Sequence, residues 1–71
     1  ILLCRSGVGM GICANRFHNV RGALCFNEKI ASACRAHNSA NVLVIPADYV
    51  TKEEIGDVLA DLMQKLRPYV E

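Results

Sequence analysis

The chain has 71 residues, 52% of them hydrophobic, with 8 Lys+Arg against 7 Asp+Glu. That composition is too apolar for a disordered tail and too evenly charged to argue for nucleic acid or an anionic membrane as partner. No apolar run reaches the ~18 residues of a membrane span. The length allows one small domain, and a chain near this size buries only roughly 60% of the surface it exposes when unfolded.

The first residue is Ile rather than Met, and the chain opens directly on Ile1-Leu2-Leu3-Cys4, an apolar run that reads as a buried strand. Natural domains rarely start inside a core strand, so residues 1–71 are expected to be the C-terminal portion of one larger α/β domain. Arg5-Ser6-Gly7-Val8-Gly9 is a glycine-rich turn. Residues 10–17 then have helical composition and are apolar nearly all round, which predicts a buried helix. Residues 20–25 read as a second strand. Asn27 is placed to cap a second helix with Glu28 in its first turn. In that helix Ile30, Ala33, Cys34 and His37 recur on one face, and Asn38-Ser39 end it. Residues 41–45 form a third strand, ended by Pro46. Thr51 and Glu54 make a capping box. Ile55, Val58, Leu59, Leu62, Met63 and Leu66 follow at helical spacing, and Pro68 stops the helix.

Strands alternating with helices through short turns predict βαβ units and a parallel sheet with right-handed crossovers. The expected fold is a three-layer, Rossmann-like doubly wound α/β sheet, here about three strands and three helices of it. The missing part should add strands beside the first one.

Four cysteines, Cys4, Cys13, Cys25 and Cys34, have spacings that match no common zinc pattern. They are expected to be reduced thiols of a cytoplasmic protein. A disulfide scaffold is the weaker alternative, because the chain has regular elements rather than loops.

The segment from Cys4 to Gly11 carries the most chemical information. A strand, a glycine-rich turn and a helix start bring several amides to one point, which suits an anion. In open α/β sheets, ligands sit beyond the carboxyl ends of the strands. A thiol there, beside a helix N-terminus, has its thiolate favoured and can act as base or nucleophile. The alternative is a tight turn that needs glycines, with Cys4 as core filler. The segment is not a phosphate-binding Walker sequence, since no Gly-Lys-Ser/Thr follows. His37-Asn38 closes the second helix, where a His is commonly only a favourable cation. His18-Asn19 reads as a solvated loop.

Taken jointly, four segments resemble the ribose-5-phosphate isomerase B family of sugar-phosphate isomerases. They are Cys4-Arg5-Ser6-Gly7-Val8-Gly9-Met10, Ala14-Asn15-Arg16, Val20-Arg21-Gly22-Ala23-Leu24-Cys25, and the stretch from Arg35-Ala36-His37-Asn38 to Asn41-Val42-Leu43. The family pattern runs C-G-[ST]-G-x-G-x-S-x-x-A-N-K, then I-R-A-x-x-C, then R-x-H-N-x-x-N-[VI]-L. The match keeps this order and spacing over residues 1–45. The resemblance implies an aldose–ketose isomerisation of a phosphorylated pentose through an enediolate, in the pentose phosphate pathway, without metal or organic cofactor. It makes Cys4 the proton-shuttling base and Ser6 its assisting hydroxyl. Backbone amides of Gly7, Val8, Gly9, Met10 and Gly11 become the anion hole. His37 becomes the ring-opening acid/base and Asn38 a sugar contact, both supplied by a neighbouring subunit of a homodimer or higher oligomer. It also implies a missing N-terminal segment with two strands and an Asp-His pair. The fragment alone is expected to be inactive.

Three departures from the family pattern matter. Arg5 stands where the family has Gly, which would be costly if φ were positive there. Gly11 replaces a Ser. Asp48 falls where the family has a phosphate-binding Arg, and a carboxylate there would repel phosphate. Arg67 is the sole candidate for the family's later arginines. Two other functions therefore stand beside the isomerase. One is a catalytically impaired relative that binds phosphosugar or serves as a structural subunit. The other is a mononucleotide- or anion-binding module, which gives His37 and Asn38 no task.

Overall fold

The computed structural model describes residues 1–66, and Arg67 and Pro68 lie outside the described residues. The elements are β1 (Leu2–Cys4), α1 (Val8–Ala14), β2 (Gly22–Leu24), α2 (Glu28–Asn38), β3 (Val42–Pro46) and α3 (Lys52–Leu66). The sheet is parallel, in the order β1-β3-β2. Leu2 lies opposite Val44 and Cys4 opposite Pro46 on one side of β3, while Gly22 lies opposite Val42 and Leu24 opposite Val44 on the other. The step from β1 to β2 and the step back to β3 run in opposite directions across the sheet. Right-handed crossovers then place α1 and α2 on opposite faces. The packing agrees: α1 lies on all three strands, and α2 packs against α3. This is the expected doubly wound α/β arrangement.

Strand β3 is the centre of the core. Val44, Ile45 and Pro46 are buried, and Cys25, Val58 and Ala14 join them. Pro46 is the last residue of the strand rather than the residue after it; a proline at a strand end forfeits no interior ladder bond. The second strand is shorter than the apolar run suggests. Val20 is held in a turn by its amide on the Phe17 carbonyl (3.1 Å), and the Arg21 amide donates to Asn41 Oδ1 (2.8 Å).

The first helix begins earlier and ends earlier than its composition suggests. At its start the Ser6 hydroxyl accepts from the Val8 amide (3.2 Å). At its end the Arg16 and Phe17 amides bond three residues back, to the Cys13 and Ala14 carbonyls. Asn15 then leaves the helix to dock on the sheet. Its Oδ1 accepts from the Gly22 amide (2.7 Å) and its Nδ2 donates to the Gly22 carbonyl (3.1 Å). A side-chain amide here does for β2 what a neighbouring strand would do.

Among the described residues one expected burial is not met. The first strand and first helix are not buried: Ile1, Leu3, Val8 and Ile12 are all more than half exposed. Leu3 points to the face opposite Leu2 and Cys4, and β1 is an edge strand in this sheet. In α2 the face turned inward carries Ala31 and Cys34, while Ala33 and His37 are exposed and Ile30 largely so. In α3, which packs on α2, Val58 is buried but Met63 is exposed, because the periodic stripe is wider than the surface that covers it.

The helix caps form as expected. Asn27 Oδ1 accepts from the Ile30 amide (2.9 Å). The Thr51 amide donates to Glu54 Oε1 (2.8 Å), and Thr51 Oγ1 accepts from the Glu54 amide (3.1 Å). The Thr51 backbone amide, and then its hydroxyl, hold the Glu54 carboxyl below the usual carboxylate range.

Gly7 is the one position where the fold demands glycine twice over. Its φ is +78°, and a Cβ there would run into the Leu24 side chain and lie 3.4 Å from the Pro46 Cβ. Gly9, by contrast, has open space around it. Gly7→Ala is therefore expected to cost at least about 2 kcal/mol by chemical denaturation, from strain and overpacking together. Gly9→Ala should leave stability unchanged or raise it by up to about 1 kcal/mol.

Candidate active site

Parallel strands put their carboxyl ends along one edge of the sheet, and Cys4 closes β1 there. The chain beyond β3 returns to the same edge: the Ala47 amide donates to the Cys4 carbonyl (2.8 Å) and the Asp48 amide to the Arg5 carbonyl (2.9 Å). The structure thus gathers Cys4, Arg5, Ser6, the α1 start and Asp48 into one corner.

Cys4 is half-buried. The Met10 amide, then the Gly7 amide, and to a lesser degree those of Ser6 and Arg5, stabilise its thiolate. They hold the thiol below its ordinary value of 9.0, although partial desolvation works against them. Of the amides expected to form an anion hole, the structure commits several. Gly11 bonds the Gly7 carbonyl (2.9 Å), Val8 bonds Ser6 Oγ, and Met10 and Gly7 face the Cys4 sulfur. The Gly9 amide has no bond among the described residues, as is usual within a helix's first turn.

Arg5 and Asp48, two departures from the family pattern, touch each other. Arg5 Nε donates to Asp48 Oδ2 at 2.9 Å in an exposed ion pair. Nor is Arg5 strained: among the described residues Ser39 is the only non-glycine with positive φ. Each of the two substitutions supplies a partner for the other, a relation that 43 positions of sequence separation conceal.

His37 and Asn38 lie elsewhere. They end α2, which starts beyond the carboxyl end of β2 and runs back to the amino-terminal edge of the sheet before β3 begins. The length of β3, roughly 13 Å at 3.3 Å per residue, separates that edge from the Cys4 corner. The His37 side chain is exposed. The Asn38 carbonyl accepts from both Arg21 Nε (3.2 Å) and Nη2 (2.7 Å), and Ser39 takes the left-handed turn with φ 55°. Asn41 Nδ2 donates to the Asn19 carbonyl (2.9 Å), so Asn41 ties the two strand entrances together. Arg21 and Asn15 are working residues that the periodicity of the chain did not single out. The signal for both is their place in the family pattern.

Cys13 is exposed, contrary to the expectation that it is buried, because α1 turns Ala14 to the sheet and Cys13 away from it. Cys25 is buried, and its Sγ lies 3.6 Å from that of Cys34. Burial first, and then the Cys34 thiol beside it, push the Cys25 thiol up to about 12. All four thiols are free. Among the described residues no three potential metal ligands cluster, and no helix is long and apolar enough to cross a membrane.

A strand, a left-handed glycine turn and a helix that presents amides to a thiol define an α/β protein with a candidate proton-transfer site. The chain matches the ribose/galactose isomerase family over residues 1–65 and belongs to that family. It is 40% identical over 53 residues to ribose-5-phosphate isomerase B of Escherichia coli, covering 75% of this chain and 36% of that protein. It is 47% identical over 45 residues to the 4-deoxy-4-sulfo-D-erythrose isomerase of a Clostridium species, covering 63% of this chain and 28% of that one. Among solved structures, ribose-5-phosphate isomerase B of Mycoplasma genitalium with bound ribulose-5-phosphate superposes with a TM-score of 0.82 at 36% identity. That alignment covers 89% of this chain and 41% of the other. The chain spans about two fifths of the length of the curated relatives it matches.

The amides around Cys4 predict a distinctive alkylation profile. The rate of Cys4 modification by iodoacetamide, followed by peptide mapping against pH, should reach half its maximum below pH 9.0. Cys25 should remain unmodified across the same range, since its thiol is both buried and pushed up. Equal, slow modification of Cys4 and Cys25 would show Cys4 to be core filler.

Proposed function

We propose that the protein carrying this chain is an aldose–ketose isomerase of a phosphorylated pentose, of the ribose 5-phosphate to ribulose 5-phosphate type. The observation that carries this reading is the placement of Cys4. It is a thiol at the carboxyl end of a parallel strand, held toward thiolate by the Met10 and Gly7 amides, with the Gly9 amide uncommitted beside it. In this reading His37 opens the sugar ring by moving a proton between the ring oxygen and the anomeric hydroxyl. The Cys4 thiolate takes the proton from the carbon next to the carbonyl, and the electrons shift to form an enediolate. Cys4 then returns the proton to the neighbouring carbon. Hydrogen moves from one carbon to the next, so the net reaction needs no oxidant. Amides fixed before the charge develops stabilise the enediolate without reorganising, and the Ser6 hydroxyl, already oriented by the Val8 amide, assists at the same corner.

The distance between the two halves of the site gives this reading its architecture. His37 and Asn38 cannot reach Cys4 within one chain, so a second copy supplies them, docking its α2 end against the Cys4 corner. The exposed Val8 and Ile12 of α1 and the exposed Leu3 of β1 offer the apolar surface such a contact needs. Gly9 and Gly11, with open space where a Cβ would stand, leave room for the sugar. One relative is named for a sulfonated sugar, so the anionic tail of the substrate is to be tested as sulfonate as well as phosphate.

Mixing two inactive variants of the full protein tests the shared site. Cys4→Ser and His37→Asn should each abolish turnover, and His37→Asn should change stability by less than about 1 kcal/mol, as befits an exposed side chain. In a dimer, random reassociation of equal amounts makes half of the dimers mixed, each with one intact site of two. About a quarter of the wild-type turnover should return. If none returns although mixed dimers form, the two residues do not share a site.

The second reading is the catalytically impaired relative, and Asp48 favours it, because a carboxylate stands at a position where the family pattern has an Arg. Here the Arg5–Asp48 pair matters. The pair itself carries no net charge, so Arg5 offsets the repulsion that Asp48 alone would exert on a phosphate. On the isomerase reading, Arg5→Gly should raise KM at least tenfold and leave kcat nearly unchanged. Stability should move by under about 1 kcal/mol, the usual range for an exposed ion pair. A wild type without turnover, brought to activity by Arg5→Gly combined with Asp48→Arg, would establish the impaired relative instead.

A further inference from the structure

Two of the four thiols, Cys25 and Cys34, have no part in the proposed chemistry. Cys25 follows β2, with its amide on the Val44 carbonyl (3.0 Å), and its side chain is 2% exposed. Cys34 sits on the inward face of α2, partly exposed. Their sulfurs are 3.6 Å apart, and among the described residues no other pair of sulfurs comes within hydrogen-bonding distance. The Cys34 thiol donates to the Ala31 carbonyl (3.1 Å) and the Cys25 thiol to the Ala23 carbonyl (3.6 Å). A shallow hollow between the start of β2 and the end of α2 opens onto this pair. Arg21, Gly22, Ala23, Cys34, Asn38 and Ala40 line it, so Cys34 borders the hollow and Cys25 stands behind it.

We propose that Cys25 and Cys34 form a redox-active dithiol, a modification site that closes to an intramolecular disulfide on exchange with a small organic disulfide. The geometry sets the order of events. The reagent enters the hollow, and the Cys34 thiolate attacks one of its sulfurs. A mixed disulfide forms at Cys34 and the first small thiol leaves with its proton. The Cys25 thiol, in van der Waals contact with Cys34 Sγ, then loses its proton and attacks that sulfur, and the second small thiol leaves. Two protein thiols are oxidised by two electrons and one small disulfide is reduced to two thiols. A disulfide is about 2.05 Å long, so the sulfurs, now 3.6 Å apart, must approach by about 1.5 Å. Burial keeps Cys25 out of contact with the reagent itself, and its raised pKa keeps it a thiol until its neighbour is activated. Once closed, the bond ties the end of β2 to the middle of α2, four residues before Asn38. The proposal is independent of the isomerase reading, since neither thiol belongs to that site.

The test treats the full protein, folded and reduced, with excess 2-hydroxyethyl disulfide at pH 8, followed by acid quench, tryptic digestion and mass spectrometry. Residues 22–29 and 30–35 fall in separate tryptic peptides, so a Cys25–Cys34 bond joins them. The expected result is that joined species, with loss of two hydrogens and little lasting adduct on either residue. In Cys25→Ala the reagent adduct on Cys34 should persist. In Cys34→Ala, reaction at Cys25 should slow at least tenfold. A stable adduct on wild-type Cys34 without the joined peptides would overturn the proposal, as would two thiols that stay reduced while Cys4 and Cys13 react. The wild-type peptide map decides the matter even if a variant fails to fold.

Discussion

Parallel pairing of β1 and β2 onto β3 is the constraint from which the rest of this structure follows. It places every strand's carboxyl end on one edge of the sheet and every helix's return on the other. The Cys4 turn is thereby fixed at one edge and the α2 terminus, with His37 and Asn38, at the opposite one. No adjustment of loops can bring them together, because the intervening distance is the length of a core strand. Within one chain the two ends of the sheet therefore stay apart. On the proposed reading, the second subunit answers to this topology.

The Cys4 corner shows how little sequence is needed to bias a thiol. Gly7 takes a left-handed turn and lies so close to Leu24 and Pro46 that no side chain fits. Beside that close approach, the Met10 and Gly7 amides face the Cys4 sulfur at the end of β1. Ser6 removes the Val8 amide from competition by accepting it. The thiolate is thus favoured by backbone dipoles alone, with no cation required. Arg5, which could have added one, is instead turned to Asp48. The two residues that most disturb the family pattern therefore cancel each other's charge and leave the backbone arrangement intact. What they alter is the electrostatic field that an anionic substrate would meet.

Much of this was legible in the sequence, and the failures share a physical origin. The order of strands and helices, the capping box at Thr51 and Glu54, and the Asn27 cap follow from local periodicity and local hydrogen bonding, and all are present. Burial was less legible. An apolar residue reports what a position can tolerate, and whether it is covered depends on neighbours distant in sequence. Leu3, Val8, Ile12 and Met63 are apolar at positions where no described element covers them. The Arg5–Asp48 contact was hidden for the same reason. A pattern takes residues position by position, whereas the ion pair arises because the chain after β3 returns to the end of β1. Asn15 and Arg21 stand in the family pattern, but their work as struts, Asn15 on Gly22 and Arg21 on Asn38, is visible only in the fold.

The four cysteines carry this distinction furthest. By composition they are identical thiols, and their spacing matched no ligand pattern. The fold separates them by environment: amides at Cys4, solvent at Cys13, and mutual contact for Cys25 and Cys34. The contact between the last two depends on a chain reversal. Cys25 ends the run of β2, Asn27 caps the helix that follows, and α2 then folds back so that its inward face, Ala31 and Cys34, passes over the end of that strand. A shift of one residue in the cap would turn Cys34 by about 100° around the helix axis and away from its partner. The register of a single cap therefore decides whether these two thiols are separate core residues or one dithiol.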